Sequence, residues 1–326
     1  MRLCCALLLY LFSFNMCFAT TLAHYIQAQT YEISPDMTCK NERHKAICSA
    51  ENVEWIDGVV AKKFQYVLEL QGNTLTKHRY VEFYTRNLNF EGYNLTALVP
   101  DSILCIEKSN LMQISKVSKG MYVQTECTLK SSVYHIVVHT NVTTTHPMYN
   151  ATNDILEAHF LESEKFRQPL QHQDDEVWQK DYKIAIKNAT IWIKSTNLNE
   201  ILFDLYKREQ HIAANIASQD DKDYRIMQDS VPTKDYLTFL QQLFGILDRV
   251  NEQANLSKKE QQNLSNVLHK LITIATTPNQ SLSLSVKGSD KLVLSLYELE
   301  GFVAINHNFF DVLTKILKYS HITITQ

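Results

Sequence analysis

The sequence predicts an α+β protein, in which a disulfide-stapled antiparallel β domain precedes an α+β domain with a helical hairpin packed on an antiparallel sheet. Alternating apolar and polar segments dominate the chain before residue 145, and all four cysteines outside the N-terminal leader lie in that half. Two helical stripes, followed by further alternating segments, occupy the second half. A length of 326 residues fits two domains, because one domain contains about 100–200 residues.

The N-terminus has the pattern of a secretory signal peptide. Arg2 precedes an almost wholly apolar run from Leu3 to Phe14, and small residues follow at Ala19 and Ala23. This run of about 12 residues is short for a membrane anchor, which needs about 20. The sequence therefore predicts a signal peptide at 1–19 or 1–23 and export to the extracellular space or a bacterial periplasm. It also predicts a soluble mature chain with no transmembrane span.

Cysteine placement agrees with export. Four cysteines remain after the leader, Cys39, Cys48, Cys105 and Cys127, and four cysteines allow three pairings. We expect the disulfides Cys39–Cys48 and Cys105–Cys127, because closing the shorter loops costs the least entropy. The alternative is a structural zinc site, which usually has close C-x₂₋₄-C pairs, and the sequence contains none.

Seven Asn-x-Ser/Thr triplets are candidates for N-glycosylation. Composition alone would give about three such triplets. Glycosylation requires a eukaryotic secretory pathway, and the sequence leaves the organism open. The candidate residues are Asn94, Asn141, Asn150, Asn188, Asn255, Asn263 and Asn279.

The first predicted domain, residues 24–145, is rich in β-strands. Short aromatic and β-branched segments are separated by turns without a long helical period, which favours an antiparallel sheet or a small sandwich. In the last strand we expect Tyr134, Ile136 and Val138 on one face, with His135 and His139 on the other. The predicted strands cover Phe64–Leu70, Arg79–Thr85, Met121–Leu129 and Ser132–Val142.

Residues 146–181 are predicted as a linker with a little local structure. Pro147 and Pro169 interrupt regular patterns, and residues 168–181 are polar and acidic. Asp154–Leu161 alone has the pattern of a short helix or strand. Because prolines and polar runs mark connections, we place the domain boundary here, and the second domain covers 182–326.

The second predicted domain begins with strand-like segments at 182–186 and 190–193. Asn197–Glu200 and Ser257–Glu260 then have the form of capping boxes, in which a side-chain oxygen caps the helix and a glutamate reaches back. Helical stripes cover residues from about 233 to 254 and from about 258 to 275. The short break between the stripes predicts an antiparallel helical hairpin.

The C-terminal segment is predicted to complete a sheet. Ser281–Lys287 alternates with a period of two, Gly288–Asp290 turns the chain, and Lys291–Leu296 returns as the second strand of a hairpin. A helix at Phe309–Tyr319 and an edge strand at His321–Thr325 follow. The apolar face of this sheet would be covered by the helical hairpin.

The composition argues against several classes of enzyme. The seven glycines are too widely spaced for a dinucleotide fingerprint, a phosphate-binding loop or a nucleophile elbow, and a net charge of −3 gives no sign of a nucleic-acid partner. His135 and His139 lie about 13 Å apart on a strand, too far to share one metal ion. The acidic runs at 172–176 and 220–223 lack the glycine of a calcium loop. We therefore predict no catalytic, cofactor-binding or metal-binding residues.

The leading functional hypothesis is an exported, non-enzymatic binding protein that contacts a protein or envelope partner through its surface. The first alternative is a carrier of an apolar ligand such as a lipid, held between the helical hairpin and the sheet. A secreted hydrolase without a recognisable motif is the third hypothesis. An aromatic group offers a candidate surface, although its alternation with polar residues favours a core. This group comprises Phe64, Tyr66, Tyr80, Phe83, Tyr84, Phe90 and Tyr93.

Overall fold

Strands are the most abundant secondary structure in the described chain. The structure is a computed structural model that describes residues 22–27, 30, 37–56, 58–85, 88–90, 93–167, 173–207, 235–242, 245, 257–303 and 309–325. The predicted leader lies outside these residues. The strands are β1 (Thr38–Glu42), β2 (Lys45–Ile56), β3 (Val59–Gln71), β4 (Thr74–Thr85), β5 (Asn89–Phe90), β6 (Tyr93–Asn94), β7 (Ser102–Ser115), β8 (Ser118–Lys130), β9 (Tyr134–Thr145), β10 (Lys183–Ser195), β11 (Gln280–Gly288), β12 (Val293–Ser295) and β13 (Ser320–Thr325).

Helices precede and interrupt this series of strands. Ser257 caps one of them with the predicted capping box, in which Glu260 returns a hydrogen bond to the Ser257 backbone. The helices are α1 (22–27), α2 (Ile155–Arg167), α3 (Gln173–Asp181), α4 (198–207), α5 (235–242), α6 (Lys258–Thr276), α7 (Leu296–Val303) and α8 (Phe309–Tyr319). The mixed α/β class that the sequence predicts is therefore confirmed.

Eleven strands form one antiparallel sheet in the order β1-β2-β3-β4-β7-β8-β9-β10-β11-β13, with β12 also paired to β10. Short turns join five of the neighbouring pairs, namely β1–β2, β2–β3, β3–β4, β7–β8 and β8–β9. The turn between β3 and β4 contains Gly72 at φ +59°, a left-handed conformation that glycine adopts without steric cost.

The two faces of the sheet differ in polarity. We call inner the face that carries Leu68 on β3, Leu75 on β4 and Met121 on β8, each with no exposed surface. Pairing carries this face across the sheet to Thr144 on β9 and Ile184 on β10. The outer face carries mainly threonine, serine, histidine and lysine side chains. The predicted separation of Tyr134, Ile136 and Val138 from the two histidines of β9 is confirmed by this register.

The largest apolar core lies between the inner face and two helices. Helix α1 contributes Leu22, Tyr25 and Ile26, and helix α2 contributes Ile155 and Ala158, all at most 1% exposed. These side chains join the inner-face residues of β2, β3 and β4 in one cluster. The segment 146–181, which the sequence predicts as a linker, thus supplies part of the core.

The sheet crosses the predicted domain boundary. β9 belongs to the first predicted domain and β10 to the second, yet they pair from Lys183↔Thr145 to Ser195↔Tyr134. Separate folding of the two parts stays a prediction.

The predicted hairpin between Ser281–Lys287 and Lys291–Leu296 is wrong. β11 pairs with residues 188–195 of β10, and β12 pairs with residues 183–185 of the same strand. The chain therefore continues along β10 in one direction after a short excursion at 289–292. At this break Gly288 approaches β10 so closely that a Cβ atom would lie 1.9 Å from the Ile186 carbonyl oxygen. Alternation indicated the strands correctly but not their partner.

Candidate functional site

A cluster of charged side chains is buried where helix α2 covers the inner face on β4 and β7. We call this region the covered end. Lys77 Nζ on β4 lies 2.8 Å from Glu107 Oε1 on β7, and Arg79 Nη2 lies 2.9 Å from Glu107 Oε2. One carboxylate therefore serves two cations. Burial alone would raise the pKa of Glu107, but the positive charges of Lys77 and Arg79 outweigh burial and lower this pKa to about 2.

Helix α2 enters this cluster through His159. Its Nδ1 lies 3.0 Å from Glu162 Oε2, and its Nε2 lies 2.7 Å from Ser109 Oγ. Burial and the nearby charge of Lys77 both lower the pKa of His159, so we assign a neutral ring. In this tautomer Nδ1–H donates to Glu162 and Nε2 accepts from the Ser109 hydroxyl. Lys77 Nζ lies 3.2 Å from the same Nδ1, and because both groups are donors in this tautomer, this contact is not a hydrogen bond.

Glu162 collects further hydrogen bonds from two tyrosines. Tyr182 donates from its hydroxyl to Glu162 Oε1 at 2.7 Å, and Tyr149 donates to the same oxygen. Burial opposes ionisation of Glu162, yet its hydrogen bonds with His159 and both tyrosines lower its pKa. The carboxylate is therefore charged and its oxygens are satisfied, as a buried charge requires. We call Lys77, Glu107, Ser109, His159 and Glu162 the polar cluster.

The order Ser109–His159–Glu162 is that of a nucleophile, a base and an orienting carboxylate. Ser109, however, has no exposed surface, so a substrate carbonyl has no path to its hydroxyl in this conformation. The cluster instead joins α2 to β4 and β7 through hydrogen bonds and ion pairs. Sequence reasoning missed it because its members are far apart: Lys77 and His159 are separated by 82 residues, and Ser109 and His159 by 50.

A second region of the inner face is apolar but incompletely covered. Cross-strand pairing aligns six residues in one row from β7 to β13, and we call this row the central patch. Ile191 in its middle is 37% exposed, and the other five are half-buried. Five strand spacings give the row a span of about 24 Å. Its members are Cys105, Cys127, Val138, Ile191, Leu284 and Ile324.

The tip of the β7–β8 hairpin is a third exposed apolar region. Met112, Ile114 and Val117 are 42%, 44% and 84% exposed, and Lys116 is exposed in the same turn. Gln113 fixes this turn by donating from Nε2 to the Ser118 carbonyl at 3.3 Å. The tip is therefore an ordered apolar projection at one end of the sheet.

Both predicted disulfides are present. Cys39–Cys48 joins β1 to β2, and Cys105–Cys127 joins β7 to β8. Each bridge links residues that lie directly opposite each other in the ladder. The pairing could be predicted because the shortest loops happen to be the turns of antiparallel strand pairs.

The candidate glycosylation residues are scattered. Asn141 and Asn188 are register partners on the outer face, while Asn150 and Asn279 are exposed near strand ends. Asn263 is half-buried on α6. Asn94 lies on β6, and Asn255 lies outside the described residues. The structure therefore does not gather them into one site.

The aromatic group is divided between the two faces. Phe64 and Tyr66 are buried in the core, and Phe83 packs against it. Tyr80 lies on the outer face, as does Tyr84, which is 57% exposed. Phe90 and Tyr93 pair in the small β5–β6 ladder. The group therefore does not form one binding surface.

Outer-face histidines have separate partners. His135 stacks edge-to-face on Trp192 at a centroid distance of 5.2 Å, and His139 Nδ1 lies 3.7 Å from Glu126 Oε2. Among the described side chains, no group of three or more His, Cys, Asp or Glu is arranged to hold a metal ion. No helix in the described segments has the length and apolar character needed to cross a membrane.

Comparison with known proteins adds no functional assignment. No family model and no curated protein matches the sequence. The central patch, the polar cluster and the hairpin tip are therefore the candidate functional regions of the described chain.

Proposed function

We propose that this chain is an exported binding protein that carries an apolar ligand on its central patch. The observation that supports the proposal is the partial exposure of the patch, above all of Ile191 at 37%. Leu68 and Leu75 lie on the same face of the same sheet and have no exposed surface. Covering exposed apolar surface gains about 25 cal/mol per Å², so an alkyl chain lying along the row would be stabilised there.

Helices border the patch at the far edge of the sheet. Leu264 and Leu268 on α6 pack with Leu317 on α8 in a separate buried cluster, which Ile322 of β13 adjoins. A second cluster joins α5 to the end of α6, where the Tyr236 hydroxyl donates to the Ala275 carbonyl at 3.2 Å. Because Leu268 is already packed, we place the ligand beside α6 rather than beneath it. Leu243 of the predicted helical hairpin lies outside the described residues.

Export is part of the same proposal. The leader pattern precedes a chain with two disulfides, and structural disulfides persist in oxidising compartments. A carrier in an aqueous compartment outside the cytoplasm would shield an apolar ligand from water, and the inner face offers the surface for it.

The test compares two substitutions that place the same polar side chain on opposite faces of the sheet. Ile191→Asn places an amide in the central patch, whereas Leu104→Asn places one on the outer face, where Leu104 is similarly exposed at 41%. Both full-length proteins are exported, purified under native conditions and extracted with organic solvent. We expect stoichiometric lipid with wild type and Leu104→Asn, and a reduced amount with Ile191→Asn at an unchanged melting temperature.

Two results would count against a carrier. Equal lipid in all three extracts would remove the patch from the binding site. Absence of lipid from every extract, together with no binding of the apolar dye Nile red, would reject apolar-ligand binding altogether.

A surface-binding function remains the second candidate, because the hairpin tip exposes Val117 at 84%. An exposed apolar projection of this kind is typical of contact surfaces. Val117→Asp would then abolish partner capture while leaving Nile red binding intact. Loss of Nile red binding in Val117→Asp, with partner capture unaffected, would exclude this second candidate.

A further inference from the structure

One charged side chain lies at the boundary between the polar cluster and the central patch. Arg79 occupies the inner face of β4, and its register partner on β7 is Cys105, the first residue of the patch. The Arg79 side chain is 41% exposed, whereas Lys77, two residues away, is 8% exposed. A solvent-accessible positive charge therefore adjoins one end of the apolar row.

The hydrogen-bonding capacity of Arg79 is incompletely used. Its Nη2 donates to Glu107 at 2.9 Å, but its Nε is buried and has no partner among the described residues. A guanidinium carries five N–H donors, and an unpaired buried donor is unfavourable. Glu107 also binds Lys77, so Arg79 shares its one carboxylate partner with a second cation.

We propose that Arg79 binds the anionic head group of a single-chain amphiphile whose alkyl chain lies along the central patch. A guanidinium pairs with the oxygens of a carboxylate or a phosphate through charge-assisted hydrogen bonds. The apolar row begins one strand away and extends about 24 Å, so head and chain have adjoining sites. This inference rests on the proposed function and adds the chemical class of the ligand.

Three amphiphiles of equal chain length test the head group. Dodecanoate, dodecyl phosphate and dodecanol are each used to displace Nile red from the delipidated full-length protein at neutral pH. We expect at least one of the two anions to bind at least about tenfold more tightly than the alcohol, since a charged hydrogen bond contributes that much affinity. The anion that binds more tightly identifies the head group as a carboxylate or a phosphate.

Substitutions of Arg79 and of a distant lysine test whether the charge of Arg79 determines the affinity for anions. Arg79→Gln should reduce anion affinity to that of dodecanol, while Nile red and dodecanol binding stay unchanged. Arg79→Lys should retain part of the preference, because the charge remains without the planar donor array. Lys130→Gln is the control. It removes an exposed positive charge from the outer face at the end of β8 and should change none of the three affinities.

The outcomes distinguish failure of the inference from failure of the carrier. Equal affinity for all three amphiphiles in wild type, or an anion preference that survives in Arg79→Gln, would overturn the role of Arg79 alone. If Arg79→Gln lowers dodecanol and Nile red affinity as much as anion affinity, the role of Arg79 would also be overturned. Failure of every amphiphile to displace Nile red would overturn the proposed function itself.

Discussion

The two parts of the inner face share a sheet and an alternating pattern but differ in what covers them. At the covered end, Leu22 and Ile155 from two helices pack on β3 and β4, and both are at most 1% exposed. In the central patch, Ile191 is 37% exposed. Alternation therefore determines which face is apolar, whereas long-range packing decides whether that face becomes a core or a binding surface.

The largest expected effect is at the polar cluster, where Lys77 is 8% exposed. Lys77→Met should lower the free energy of unfolding by about 3–5 kcal/mol, because it removes one partner of a buried ion pair. Lys62→Met is the matched control, since Lys62 pairs with Glu82 at 63% exposure and should change stability by less than about 1 kcal/mol. Urea denaturation measures both, and equal losses would contradict the distinction.

Core packing supplies the next comparison. Ile155→Ala should cost about 2–5 kcal/mol, because it leaves a cavity in a filled core. Ile191→Ala removes the same atoms from a half-open surface and should cost less than about 1.5 kcal/mol. Thermal or urea unfolding of the ligand-free proteins gives both values. A cost for Ile191→Ala that matches that of Ile155→Ala would mean that the central patch is an ordinary core.

The position of signal-peptide cleavage decides whether helix α1 keeps a core residue. Leu22 has no exposed surface, so cleavage after Ala23 would remove a core side chain, whereas cleavage after Ala19 retains it. We expect mass spectrometry of the exported protein to find residue 20 first. A protein made to start at residue 24 should be less stable than one starting at residue 20 by about 2 kcal/mol or more. Equal stabilities would show that Leu22 contributes nothing.

Acid should lower the free energy of unfolding through the buried groups of the polar cluster. Folding lowers the pKa of His159 below its ordinary value of 6.5, so the unfolded chain binds a proton that the folded chain does not, and stability falls as pH drops below about 6.5. Glu107, with its pKa lowered from 4.5 to about 2, extends this loss to more acidic pH. His159→Gln should flatten the pH dependence between pH 7 and about pH 5. An unchanged slope would contradict a neutral, buried His159.

Sequence patterns predicted local structure better than long-range pairing. The alternation of β9 and the cap at Ser257 are confirmed because each depends on neighbouring residues. The β11–β12 hairpin is wrong because alternation indicates a strand without indicating its partner. Helix α2 was missed as part of the core because His159 and Glu162, which face the sheet, look solvent-exposed in the sequence.

The candidate site could be predicted only in part for the same reason. The disulfide Cys105–Cys127 was predicted from spacing, yet its place in a row of apolar residues depends on the register of six strands. Arg79 has no sequence signal of its own. It becomes a candidate only when β4 and β7 pair and bring it beside Cys105.

Photo-crosslinking shows where on the protein an apolar ligand binds. A diazirine-bearing long-chain alcohol is irradiated with the ligand-free protein, and the labelled peptides are identified by mass spectrometry. Binding on the central patch predicts labels on peptides that contain Val138, Ile191 or Leu284, and competition by unlabelled dodecanol should remove them. Labels confined to residues 112–117 or to the outer face, or labels that dodecanol does not displace, would contradict the account.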